Sequence, residues 1–255
     1  MFRNEILSQQ EEDKAYSKSK FWEALKEGRT AVIMDTETTG FTAKDCDVIE
    51  VSAVKVKLAP PGSKNAFTVL GTYDSYINPG YPLPERIVEF NREAGTGICD
   101  EFLSIMPDAQ TVAEELDAFF HSNPDIGSDP ILVGHNIESF DVPFIEKLLK
   151  ADKKELPFTN TFDTLRIAKA EIPFQGKGTH KLTTLHPRTR GNYAAMANNA
   201  VAHTSIYDCL MTLDLTEHFI ESYLKEYEEV RTLEPAVPEQ PHKKKLLRKQ
   251  EVLME

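Results

Sequence analysis

Acidic residues and one histidine follow apolar stretches of this chain at three separate places. Asp35 and Glu37 come after AVIM, Asp141 ends the segment VGHNIESFD, and His203 and Asp208 bound the segment HTSIYD. Carboxylates suit hard cations such as Mg²⁺ or Mn²⁺, and a histidine that titrates near neutrality can accept a proton from water. If the three places converge, they supply the ligands and the base that two-metal hydrolysis at phosphorus requires.

The first place is the segment DTETTG, in which Asp35 and Glu37 stand two residues apart at a strand end. In extended backbone both side chains point the same way, so the two carboxylates repel each other and one tends to stay protonated. A pair of Mg²⁺ or Mn²⁺ ions would remove that conflict. Taken alone, the segment is equally compatible with a polar turn.

The other two places are more ambiguous. Asp141 alone is better explained as a helix N-cap or a partner of the helix dipole, and His135 and Asn136 could simply shape the same loop. Asp208 follows His203 by a rotation of about 140° in regular helix, so we expect His203 in the loop before the helix. Asp208 would then face the sheet, where a metal offsets the cost of a buried charge.

Hydrophobic periodicity predicts the elements that must position these side chains. Strands are expected at Ala31–Asp35, Asp47–Leu58, Phe67–Pro79, from Pro130 and at Phe158–Phe162, and helices from Asp108, at Asp141–Ala151, after Asp163 and from about Ser205 to Val230. Three strands in a row followed by alternating helices and strands favour an α/β fold. We expect a mixed five-stranded sheet whose first three strands form an antiparallel meander, with helices on both faces.

Three regions are expected along the 255 residues. Residues 1–29 are predicted to be a helical arm packed on the domain by Trp22. Residues 30–230 form the domain that carries the acidic residues, and residues 231–255 form a tail containing HKKKLLRK without a core of its own.

Composition narrows the class of protein. A content of 40% hydrophobic and 27% charged residues is typical of a soluble globular protein, and no stretch has the length of a membrane span. Three scattered cysteines and no recognisable signal peptide favour a cytoplasmic protein with reduced thiols. The net charge of −12 argues against binding nucleic acid over the whole surface, but it allows one local site.

The motifs DTETTG, HNIESFD and H-x-x-x-x-D, in this order, resemble those of the DnaQ-like (DEDDh) 3′–5′ exonucleases. The likeness extends from about Ala31 to about His218, and its intermediate stretches are most similar to the proofreading epsilon subunit of bacterial DNA polymerase III. It implies a ribonuclease H-like fold and release of nucleoside monophosphates from DNA 3′ ends. Thr96, in place of a histidine, and Ser52, in place of a glycine, depart from the epsilon pattern.

The resemblance also implies a role for each catalytic residue. Asp35 would bridge two Mg²⁺ or Mn²⁺ ions, while Glu37 and Asp208 complete the site of the ion that carries the nucleophile. Asp141 would support the second ion, and His203 would deprotonate the attacking water.

Further residues are candidates for substrate binding. By the resemblance, the backbone of Thr38, Thr39 and Gly40 would approach the terminal nucleotide. Phe140 would lie near the terminal bases, although core packing explains it equally well, and Asn136 would contribute from the second motif.

One basic stretch stands out in this acidic chain. Ile172 to Tyr207 contains no Asp or Glu, whereas the whole chain has 41 acidic residues. We expect four basic residues of this stretch to contact substrate phosphates, namely Lys177, Lys181, Arg188 and Arg190. An ordinary polar loop is the alternative.

The expected partners are single-stranded or frayed 3′ ends of DNA, with a DNA polymerase as a candidate protein partner and no membrane. An exoribonuclease of the RNase T or oligoribonuclease type is the main alternative, because contacts that tolerate a 2′-hydroxyl are not visible in the sequence. A binding module without catalytic activity is a third, which the intact set of four acids and a histidine disfavours.

Overall fold

The structure, a computed structural model, describes residues 16–122, 130–196 and 203–233. The first 15 residues of the predicted arm and the tail beyond residue 233 lie outside the described residues. No helix in the described ranges is both long and apolar enough to cross a membrane.

The described elements follow the order that periodicity predicted. Their bounds are α1 Lys18–Lys26, β1 Ala31–Thr38, β2 Val48–Leu58, β3 Phe67–Tyr76, α2 Glu85–Ala94, α3 Asp100–Leu103, α4 Ala109–His121, β4 Ile131–Gly134, α5 Asp141–Lys150, β5 Asn160–Asp163, α6 Thr164–Glu171, α7 Leu182–Leu185 and α8 Ser205–Leu233. Asp108 caps α4 by accepting a hydrogen bond from the Thr111 amide at 2.9 Å. Two short 3₁₀ turns lie between α7 and α8.

The strands form one mixed sheet in the order β3-β2-β1-β4-β5. β1, β2 and β3 pair antiparallel, whereas β4 lies parallel to β1 and β5 parallel to β4. The predicted meander and the mixed five-stranded sheet are therefore confirmed. The parallel centre brings the carboxyl ends of β1 and β4 to the same edge of the sheet.

The predicted limits of β1, β3 and β5 were wrong by more than one residue. β1 continues past Asp35 to Thr38 because these polar residues pair with β2, while β3 ends at Tyr76 and not at Pro79. β5 begins at Asn160, where its pairing with β4 starts, and Phe158 packs instead against the Phe120 ring at 5.0 Å.

The core lies on both faces of the sheet, as expected. Alternate β1 residues face opposite ways, so Ala31 and Ile33 pack in a cluster with α1 and α8, while Val32 and Met34 pack in a cluster with α4 and α5. A smaller cluster lies beneath α2 and α3. β1 is therefore buried along its first half, and its second half carries the acidic residues.

The N-terminal helix packs on the core through Phe21 as well as through the predicted Trp22. Phe21 is fully buried and stacks on Phe162 with ring centroids 4.3 Å apart, whereas Trp22 is only partly buried. Trp22 therefore packs against the core as predicted, but Phe21 is the more deeply buried because the helix turns it towards the sheet.

Candidate active site

Four carboxylates from three separate segments converge at the carboxyl end of β1. Asp35 and Glu37 lie on the strand, Asp141 is the first residue of α5, and Asp208 lies in the first turn of α8. By strand alternation, Asp35 and Glu37 face the same side as Ile33, which packs in the cluster containing α8. One acid therefore comes from α8 on this face, and another comes from α5 on the opposite face.

Asp141 is fixed by the strand and does not cap its own helix. Phe140 occupies the N-cap position of α5, without a side-chain capping bond. The hydroxyl of Thr36 donates to Asp141 Oδ1 at 2.8 Å, and Asp141 is only 3% exposed. The interpretation of Asp141 as an N-cap is therefore wrong, and the carboxylate is held at the end of β1.

The four carboxylates are buried close together, and both burial and mutual repulsion affect their pKa values. Burial and the charges of Asp141 and Asp208 hold the pKa of Asp35 well above its usual range. Burial and the charge of Asp208 raise the pKa of Glu37 to about 9, and burial raises that of Asp141 to about 7. Burial also raises the pKa of Asp208 to about 6, against an opposing effect of His203.

These observations fit a divalent cation. Glu37, His203 and Asp208 each offer a ligand atom, and these atoms lie within 4.8 Å of one another. Among the described residues, Oδ1 of Asp208 has no hydrogen-bond partner although it is buried. Bound positive charge would offset both the repulsion and the unsatisfied oxygen.

His203 lies outside regular helix, as predicted. It occupies a turn two residues before α8 and has a φ of 70°, in the left-handed region. Its ring meets that of Phe90 edge to face, with centroids 5.3 Å apart. This backbone conformation allows the imidazole to join Glu37 and Asp208, which a continuous helix would prevent.

Glu50 is an acidic residue of the site that the sequence analysis missed. It pairs with Glu37 across the β1–β2 ladder and is 0% exposed. Burial and the charge of Asp74 raise its pKa to about 7, against an opposing effect of Ser205. The available signal was an acidic residue within the apolar stretch VIEVSAV.

The loop after β4 is shaped by its own polar residues. Both ring nitrogens of His135 are engaged, Nδ1 with the Thr164 hydroxyl at 2.9 Å and Nε2 with the His180 carbonyl at 2.8 Å. Asn136 has a φ of 73°, and its backbone N–H donates a hydrogen bond to Asp163 Oδ1 at 2.9 Å. His135 therefore sets the shape of the loop, and Asn136 lines a cavity beside Asp208.

A cavity of about 320 Å³ opens beside Glu37. Its lining includes the predicted Thr38, Gly40 and Phe140, and also Phe41, Arg86 and Phe90, which the sequence analysis did not select. Phe41 is 76% exposed, and the Arg86 guanidinium lies 5.2 Å from its ring centroid. The result is an aromatic cleft with one cation at its mouth.

Thr39 and Gly40 of DTETTG are both tightly packed, but only Gly40 lines this cleft. Thr39 is buried, and its hydroxyl accepts the Asp47 amide at 2.9 Å. A Cβ at Gly40 would come within 2.5 Å of Cys46 Sγ and 2.7 Å of an Arg86 nitrogen, so only glycine fits without rearrangement.

The predicted basic residues are spread over more than one place. Lys181 lines the cavity that also contains His203 and Asp208. Lys177 and Arg188 line a neighbouring cavity, and Arg190 forms an ion pair with Glu221 on α8. Contact with a substrate stays a prediction for all four.

Comparisons with known proteins agree with this arrangement. A family model described as exonuclease (RNase T) matches residues 32–216. The PolC-type DNA polymerase III of Bacillus subtilis is 34% identical over 165 residues, covering 63% of this chain and 10% of the relative. The PolC-type DNA polymerase III of Pediococcus pentosaceus is 31% identical over 206 residues, which cover 80% of this chain and 12% of the relative. The chain thus spans about a tenth of the length of these curated relatives.

A solved structure shares the architecture. Exonuclease I of E. coli, in complex with a dT13 oligonucleotide, superimposes with a TM-score of 0.58 at 15% identity, covering 80% of this chain and 44% of that one. This likeness confirms the expected ribonuclease H-like fold.

Proposed function

The chain belongs to the exonuclease family whose model it matches, and from this premise we propose that it removes nucleoside monophosphates from the 3′ ends of DNA in a metal-dependent reaction. The family membership agrees with the resemblance to DnaQ-like exonucleases. The observation that carries the proposal is the convergence of Asp35, Glu37, Asp141 and Asp208 beside His203.

The acidic residues are proposed to hold two Mg²⁺ or Mn²⁺ ions. Asp35 is central because it is coupled electrostatically to the other three ligands, Glu37, Asp141 and Asp208. When bound, such ions activate water and stabilise the leaving oxygen of an in-line displacement. Glu50 lies behind Glu37 and keeps further negative charge close to the ligands.

His203 is proposed as the general base. Its ring belongs to the same group as Glu37 and Asp208, and its contact with Phe90 holds the ring beside the aromatic cleft. An imidazole there can accept the proton of an attacking water when the scissile phosphate lies over the carboxylates.

The aromatic cleft is proposed to receive the terminal nucleotide. Phe90 and Phe140 line it on the side of Glu37, and aromatic rings stack on any base. The backbone of Thr38 and Gly40 borders the same space, which allows close approach of the sugar. A cleft of this kind would accept any base.

DNA is favoured over RNA by the relatives. The curated relatives are DNA polymerases, and the solved structure holds a deoxyoligonucleotide. An exoribonuclease remains the alternative function, and a polymerase partner is a proposal that follows from the same relatives. Whether the enzyme acts in proofreading or in repair, its substrate would be a single-stranded or frayed 3′ end of DNA.

The test is a nuclease assay on DNA with paired, mismatched and single-stranded 3′ ends, with matched RNA alongside, in Mg²⁺ and in EDTA. We expect stepwise loss from the 3′ end in Mg²⁺ only, faster on frayed DNA than on RNA. The double variant Asp35→Ala, Glu37→Ala should lose cleavage and keep its circular dichroism spectrum.

The matched control is Glu146→Ala, Glu155→Ala, which removes two exposed acids outside the site. It should cleave as the wild type does. Full activity of the Asp35, Glu37 variant would refute the metal site, and faster cleavage of RNA would favour the alternative.

A further inference from the structure

The acid-free segment and α8 line three cavities that share residues. The first cavity, of about 550 Å³, contains Asp208, His203 and Lys181. Lys181 also lines the second cavity, of about 530 Å³, together with Lys177 and Arg188. Arg188 in turn lines the third, also about 530 Å³, with Lys225 of α8. Neighbouring cavities therefore share lining residues all the way from the acidic cluster to Lys225.

The surface along these cavities is positively charged. Within the described ranges, no ion pair involves Lys177, Lys181, Arg188 or Lys225, which are all exposed. The acid that faces the surface in the third cavity, Glu221, is already paired with Arg190. A protein with a net charge of −12 thus presents one strip of available cations.

His218, in the third cavity, reports the local potential. Its pKa is lowered by burial first and then by the charge of Lys225, with Arg188 adding to the effect and Glu171 opposing it. Lys225 and Arg188 therefore act on this ring in the same direction.

An exposed aromatic ring stands at the start of the strip. Phe174 lies in the first cavity with Lys181 and is 74% exposed, although burial would stabilise such a ring. Exposed aromatic rings beside cations are the usual platform for single-stranded nucleic acid, since bases stack while phosphates contact the charges.

We propose that Phe174, Lys177, Lys181, Arg188 and Lys225 form a track that binds the single-stranded DNA upstream of the cleaved end. The track rests on the proposed function, because its inner end is the candidate active site. Base stacking on Phe174 fixes the strand next to the scissile bond, and the four cations contact successive phosphates further upstream.

The length of the track distinguishes a strand from a small anion. α8 rises about 25 Å between Asp208 and Lys225. A free phosphate or a mononucleotide would occupy one cavity and leave the others unused. A strand that follows all three explains why the basic residues extend so far from the acids.

Binding is measured with labelled oligothymidylates of about 4 and about 16 nucleotides, in EDTA, on the Asp35→Ala, Glu37→Ala background. Adding Lys177→Ala, Lys181→Ala and Arg188→Ala should weaken binding of the longer strand by an order of magnitude or more. It should also reduce the slope of log affinity against log salt by about 2, since each phosphate contact contributes about 0.7. The short strand should change much less.

The control triple is Lys20→Ala, Lys57→Ala, Lys64→Ala, which removes the same charge from exposed lysines elsewhere. An equal effect of both triples would overturn the track, as would an unchanged salt slope. This assay measures binding without cleavage. It can therefore contradict the track while the nuclease assay supports the proposed function, or support the track while the nuclease assay contradicts that function.

Phe174→Ala tests the stacking platform separately. We expect about a tenfold loss of affinity for both strand lengths with little change in the salt slope. Ile105→Ala, which removes another highly exposed apolar side chain, is its control and should bind normally. Equal affinities of the two variants would exclude Phe174 from the track.

Discussion

At the scale of the residue, the site concentrates negative charge that the protein alone does not neutralise. Five carboxylates share the end of β1, those of Asp35, Glu37, Asp141, Asp208 and Glu50, and the pKa of each is raised. Burial is the leading cause in every case, so these groups hold protons at a pH where ordinary carboxyls have lost them. The proposed metal ions would therefore have to displace protons from these oxygens.

The raised pKa values predict how the stability of the protein depends on pH. The pKa of Glu37 is about 9 in the folded protein, against 4.5 ordinarily, and that of Asp141 is about 7. A raised folded pKa gives stability that is complete below the unfolded pKa and is lost as pH rises through the folded one. We therefore expect the Tm of the protein in EDTA to fall between about pH 5 and pH 9.

Calorimetry in EDTA and in Mg²⁺ measures this effect. Mg²⁺ should raise the Tm more at the alkaline end of that range, because the ligands are then ionised. Asp35→Asn, Glu37→Gln should flatten the fall in EDTA and abolish the response to Mg²⁺. A Tm that rises with pH in EDTA would contradict the assignment.

At the scale of the element, a buried lysine joins β2 to the end of α4. Lys55 is 2% exposed, and its ammonium donates to the carbonyls of Phe119 at 2.6 Å and Ser122 at 2.8 Å. The ammonium also lies 4.8 Å from the Phe119 ring centroid. It thus satisfies carbonyls that the end of a helix leaves without partners.

Lys55→Met should destabilise the protein by about 1–3 kcal/mol, because it removes the ammonium that donates to the carbonyls of Phe120 and Ser122. Lys57→Met, two residues further along the same strand and exposed, is the matched control and should change stability by less than about 0.5 kcal/mol. Urea unfolding measures both. If both variants lost the same free energy of unfolding, the hydrogen bonds of Lys55 would contribute nothing to stability.

At the scale of the whole molecule, the N-terminal helix belongs to the main core. α1 packs with α8 and the sheet, and Phe21 stacks on Phe162 of β5. Segments from the two ends of the described chain therefore meet in one cluster, on the sheet face that also carries Asp35 and Glu37.

Phe21→Ala should reduce the free energy of unfolding by about 3–5 kcal/mol through the cavity it leaves. Trp22→Ala, at the partly buried neighbouring position, should cost clearly less. Denaturant midpoints compare the two variants. A larger loss of unfolding free energy for Trp22→Ala than for Phe21→Ala would mean that Trp22 is the main anchor of the helix.

The sequence by itself determined the order of the elements and the sheet type, and it supplied the proposed ligand set. Apolar runs and alternation are local properties, so AVIM before Asp35 and the valine-rich β2 were visible without a structure. Three short motifs in one order were enough to identify the family. The loop position of His203 also followed from the sequence, because helical geometry separates it from Asp208.

The tertiary structure decided how distant residues meet. Asp141 resembles a helix cap in sequence, and its bond to Thr36 exists only because α5 docks at the end of β1. Glu50 became part of the site through the strand register, and Phe41 and Phe90 through the docking of α2. These contacts join segments far apart in the chain, and no local pattern encodes which distant side chain will fill a given space.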